Sequence, residues 1–100
     1  MFLVVLVLFL TMKHVTQISS ELDPEDVRIG ATIREMRTMR GMTQDQFSRA
    51  AMLSRSYLAN IEVGRKRPSG RAVARIAAAL RVPQISILAE VEPSDRNRAA

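Results

Sequence analysis

The chain has 100 residues, no cysteine and a net charge of +5. Its length fits one small domain, with a core marginal enough for dimerisation to help it. The missing cysteines exclude disulfides, thiol chemistry and most structural zinc sites. With three Phe, one Tyr and no Trp, packing falls to aliphatic side chains, which favours an all-α bundle over a sheet sandwich.

The chain opens with ten apolar residues, Met1–Leu10 (MFLVVLVLFL). That is too short to cross a bilayer, which takes about 20 residues. As a secretory signal it lacks a basic start and a small-residue cleavage site. MKHVTQ from Met12 reads like an ordinary amino terminus, so Met12 is taken as the natural start and residues 1–11 as an upstream extension. A membrane-associating tag and an extra packing or dimer segment are the alternatives. Residues 1–22 are thus a leader and linker. His14, the sole histidine, reads as solvated, and no metal or cofactor is expected.

Asp23 is a good N-cap for the first helix. Pro24 stands at its first position, and Glu25 and Asp26 complement the positive end of the dipole. Ile29, Ile33 and Met36 recur at helical spacing, and Gly41 is a natural stop. Thr43 with Gln46 forms a capping box for a second helix over Gln44–Ala51, with Phe47, Ala50 and Ala51 inward. Ser54 caps a third helix, with Leu58 and Ile61 inward and Arg55, Ser56, Ala59 and Asn60 outward. The loop VGRKRPSG follows. Ser69 caps a fourth helix that turns Val73, Ile76, Ala77 and Leu80 inward. A last short helix after Pro83 is expected to bury Ile85 and Leu88. The polar, aperiodic stretch 90–100 reads as a disordered tail, which leaves 23–89 as the folded domain.

Charge is unevenly spread. From Arg28 to Arg81 there are twelve Lys or Arg against three Asp or Glu, a local +9. Positive charge concentrated in the folded part is the footprint of a polyanion partner.

The stretch Ile29–Leu88 resembles the lambda-repressor-like (Cro/repressor type, Xre-like) helix-turn-helix family. The resemblance is carried by Ile33, Arg34 and Arg37 of IREMR, by Met42-Thr43-Gln44, by SRSYLANIE at Ser54–Glu62, by Gly64, by Pro68-Ser69 and by IAAAL before Val82. It implies a compact five-helix DNA-binding domain and a transcriptional regulator, a repressor acting as a homodimer on double-stranded DNA in the cytoplasm. The chain departs from the family at Met52, where the inter-helix turn usually has glycine, and at Gly70, Arg81 and Val63. A non-glycine residue in that turn costs about 1 kcal/mol or more.

Within this resemblance Ser54–Glu62 is the reading helix. The major groove accepts one helix and presents a distinct donor and acceptor code. Arg55 can take guanine O6 and N7 together, Ser56 can meet several base edges, and Asn60 can pair with adenine. Gln44 matches the family position that clamps a phosphate, at a helix N-terminus. Ser54, Tyr57, Arg65, Lys66 and Arg67 are expected on the flanking phosphates, giving affinity and register rather than sequence choice. Arg37 and Glu62 match positions that form a partly buried ion pair.

Catalysis is not expected: there is no plausible Ser, His and Asp set, no glycine-rich phosphate loop and no carboxylate pair on one helix face. Two other functions compete with the DNA reading. One is an antitoxin or adaptor whose main partner is another protein. The other is a membrane-tethered regulator using Met1–Leu10, although a membrane partner is the less expected of the two.

Overall fold

The computed structural model describes residues 3–5 and 21–90. Residues 3–5 are helical and exposed. The reading of Met12 as the start lies outside the described residues, as does the reading of 90–100 as a disordered tail for all but Glu90.

From residue 21 to 90 the chain forms five helices and no strand. They are α1 (Pro24–Met39), α2 (Gln44–Ala50), α3 (Arg55–Glu62), α4 (Gly70–Leu80) and α5 (Ile85–Leu88). Among the described residues no helix is long and apolar enough to cross a membrane.

Each of the first four helices starts where a side chain satisfies its free N–H groups. Asp23 Oδ1 accepts from Glu25 N at 2.8 Å. Thr43 and Gln46 close a complete capping box, at 3.1 and 2.9 Å. Ser54 Oγ accepts from Tyr57 N and Ser69 Oγ from Ala72 N, both at 3.1 Å.

The same four helices also stop alike. A left-handed residue follows each, and the next N–H reaches back five residues. Those bonds are Met42 N to Arg37 O at 3.3 Å, Leu53 N to Ser48 O at 2.8 Å, Arg65 N to Asn60 O at 3.0 Å and Val82 N to Ala77 O at 3.0 Å. The left-handed residues are Gly41 (φ +67°), Met52 (φ +56°), Gly64 (φ +83°) and Arg81 (φ +58°). The two non-glycine departures, Met52 and Arg81, therefore keep the turn geometry at a local energetic cost.

The core is built from Ile29 and Ile33 of α1, Phe47 of α2 and Ala51 at its C-cap, Leu58 and Ile61 of α3, Ile76, Ala77 and Leu80 of α4, and Ile87 of α5. Two sequence expectations need correcting. Ala50 is exposed, and Ser48 is buried in its place, because the inward face of this short helix follows 47, 48 and 51. The Ser48 hydroxyl tolerates burial by donating to Asp45 O at 3.0 Å. In α5, Ile85 is 65% exposed and Leu88 40%, whereas Ile87 is fully buried. A single turn presents only one side to the core, and that side carries Ile87. Arg28 fixes the end of this turn, donating to Leu88 O at 2.7 Å and to Ala89 O at 3.2 Å.

Candidate nucleic-acid interface

Helix α3 is held from behind and free in front. Leu58 and Ile61 are fully buried, while Ser54, Arg55 and Ser56 at its start are exposed and Asn60 is half-buried. Ser54 Oγ and Ser56 Oγ lie 3.5 Å apart. One helix thus carries a core anchor and, on its N-terminal turn, a row of polar side chains in solvent.

Its angle is set by α1. Gly30 is buried against the last turn of α3. A Cβ at this position would collide with Ile61 O and stand 2.9 Å from Glu62 O. Sequence reasoning missed this residue, although a lone glycine inside a helical pattern often marks a close approach of backbones.

Below that crossing lies a polar network. Arg37 donates to Glu62 through both Nε and Nη2, at 2.7 and 2.9 Å, and its Nη1 donates to Met42 O at 2.7 Å. Gln44 Nε2 donates to Glu62 Oε1 at 3.1 Å. The two charged side chains are 10% and 1% exposed, and no buried polar side-chain atom among the described residues lacks a partner. Gln44, expected at a phosphate, is therefore oriented by Glu62. Its amide carries a second N–H that this bond does not use.

Tyr57 is half-buried, and its hydroxyl accepts from Ser69 N at 3.2 Å. It ties α3 to the cap of α4 while retaining its own O–H as a donor. The turn between α2 and α3 is held from α4 as well, since Arg75 Nη1 donates to Met52 O at 3.4 Å.

The basic loop divides. Arg65 and Lys66 are exposed and make no ion pair among the described residues. Arg67, also expected at a phosphate, is paired within the chain. It bonds Asp26 through Nε, and its Nη2 lies 3.1 Å from Glu25 Oε2 and 3.6 Å from Asp23 Oδ2. The bond to Asp26 and its charge, with those of Glu25 and Asp23, raise the Arg67 pKa above its ordinary value. Side chains far apart in sequence supply these carboxylates, so reading the loop alone does not reveal them.

A helix-turn-helix family model matches residues 33–83, which span α2, the Met52 turn and α3. The chain is 34% identical over 77 residues to the ImmF control region 10 kDa protein of Bacillus phage phi105, covering 73% of this chain and 86% of that one. It is 40% identical over 62 residues to the immunity repressor protein of the same phage, covering 62% of this chain and 43% of that one. Among solved structures it is similar to Bacillus thuringiensis PlcR in complex with the peptide PapR7 and DNA. That likeness has 29% identity and a TM-score of 0.63, over 73% of this chain and 26% of PlcR. On the match across its paired helices, the chain belongs to the helix-turn-helix family of DNA-binding transcription regulators.

Proposed function

We propose that the chain is a sequence-specific repressor that binds double-stranded DNA as a homodimer, acting in the cytoplasm at the nucleoid. Helix α3 lies in the major groove. Arg55, Ser56 and Asn60 read base edges, and Gln44, Ser54, Tyr57, Arg65 and Lys66 contact phosphates. The observation that carries this reading is the exposure of Arg55 and Ser56 on a helix whose opposite residues, Leu58 and Ile61, are fully buried. A groove reader needs that combination of a fixed back and a polar front.

The phosphate roles follow from what is left unused. Gln44 has its second amide hydrogen, Tyr57 its hydroxyl hydrogen, and Arg65 and Lys66 their whole charge. Likeness to a phage immunity repressor supports repression. Exposed Ile85 and Leu88 offer apolar surface to a second copy, and two reading helices on a two-fold site double the base contacts of one.

Selection of bound duplexes from a random DNA pool tests the reading. The expected product is a two-fold symmetric motif with half-sites about one helical turn apart. A pool that binds without enriching any motif refutes base reading. A single chain on a non-palindromic site, seen by ultracentrifugation with DNA, refutes the dimer.

A further inference from the structure

We propose that Arg67 is a positioning residue. It braces the loop after α3 against the first turn of α1, so that Arg65 and Lys66 are held where they meet DNA phosphates, and it touches no phosphate itself. The inference rests on the reading of Arg65 and Lys66 as phosphate contacts.

The loop is fixed on both sides of those two residues. Ahead of them, Gly64 presses on α1: a Cβ there would stand 2.7 Å from Val27 Cγ2 and 2.8 Å from Val27 Cα. The N–H groups of Arg65 and Lys66 both donate to Asn60 O, at 3.0 and 3.2 Å. Behind them, Arg67 reaches Asp23, Glu25 and Asp26, and Pro68 is buried. Between these fixed points the Arg65 and Lys66 side chains stand in solvent.

Charge opposes a move of Arg67 onto DNA. Its guanidinium now faces three carboxylates from the cap and first turn of one helix. Leaving them for a phosphate would exchange three anionic neighbours for one and would bare all three carboxylates beside a polyanion. Arg65 and Lys66 have no such partners among the described residues, which leaves their charge for phosphate. Arg67 and its carboxylates are about half exposed, apart from the more covered Asp26, so each pair is individually weak. The effect expected is a modest change in loop order and affinity, not a loss of fold.

The test compares the full chain with Arg67→Ala, Asp26→Ala, the double variant and Lys66→Ala. Amide hydrogen exchange at Arg65 and Lys66 is measured without DNA, and binding to a random-sequence duplex is measured across a salt series. Both brace variants should speed exchange and weaken binding about twofold to fivefold, with the double variant no worse than either alone. The salt slope should stay unchanged for Arg67→Ala and fall by about one for Lys66→Ala. The proposal is overturned if Arg67→Ala lowers the slope by about one while Asp26→Ala tightens binding, since Arg67 then sits on a phosphate. Unchanged exchange in either brace variant also overturns it. Because exchange is read without DNA, failure of every variant and of the parent chain to bind duplex counts against the DNA reading and leaves the brace judged by exchange.

Discussion

Arg37 and Glu62 meet as a two-pronged pair, Nε to Oε2 at 2.7 Å and Nη2 to Oε1 at 2.9 Å, with Arg37 on α1 and Glu62 at the end of α3. The planar fork of arginine matches the carboxylate, which gives direction as well as charge. The pair therefore fixes the roll of α3 about its axis, while Gly30 fixes its distance from α1.

Breaking the pair from one side leaves a charge in a nearly closed site. Arg37→Ala is expected to cost about 3 kcal/mol and to lower Tm by roughly 10–20 °C, with DNA binding lost through a loosened fold. Gln44→Ala removes only one bond to the same carboxylate and should cost about 1 kcal/mol. Thermal unfolding of both variants checks the order, and an unchanged Tm for Arg37→Ala would contradict this account.

Gly30→Ala separates helix propensity from packing. Propensity favours alanine inside a helix by about 1 kcal/mol. The backbone oxygens of Ile61 and Glu62 leave no room for its methyl group, and overpacking of this kind costs typically 1–3 kcal/mol. The variant should be less stable and should bind DNA less tightly, because α3 must shift. Denaturant unfolding gives the sign, and a more stable variant would show that the helices part easily.

Met52 has the opposite expectation. It holds φ +56° with 69% of the residue exposed, so strain is present and little packing is at stake. Met52→Gly relieves about 1–2 kcal/mol of left-handed strain and gives back about 0.4–1 kcal/mol through a freer unfolded chain. A net gain of roughly 0.5–1 kcal/mol is expected, with DNA affinity unchanged, measured by denaturant midpoint and by titration with duplex.

Arg55 and Lys66 carry the same charge and should fail differently. Arg55→Ala is expected to cost roughly 1–3 kcal/mol on the preferred site and to relax choice at one base position, with little loss on random DNA. Lys66→Ala should weaken both DNAs about equally and lower the salt slope by about one. A salt titration of each variant on each duplex reads the difference. Uniform weakening by Arg55→Ala would move Arg55 onto the backbone and leave base reading to Ser56 and Asn60.

The sequence by itself determined the elements and their order. Caps at Asp23, Thr43, Ser54 and Ser69 act on N–H groups two or three residues away, and the stop at Gly41 is a property of a single residue. Such interactions are local, so they are legible in a linear string. The helical spacing of Ile29, Ile33, Phe47, Leu58, Ile61, Ile76 and Leu80 likewise named most of the core. Only the tertiary structure decided which side of α5 faces inward, that Gly30 sits under the end of α3, and that Arg67 belongs to the acidic first turn of α1. One helical turn is too short for periodicity to orient it, so Ile87 could not be told from Ile85 and Leu88. The partners of Gly30 and Arg67 lie more than thirty residues away, and spacing along the chain carries no record of a meeting produced by the packing of two helices.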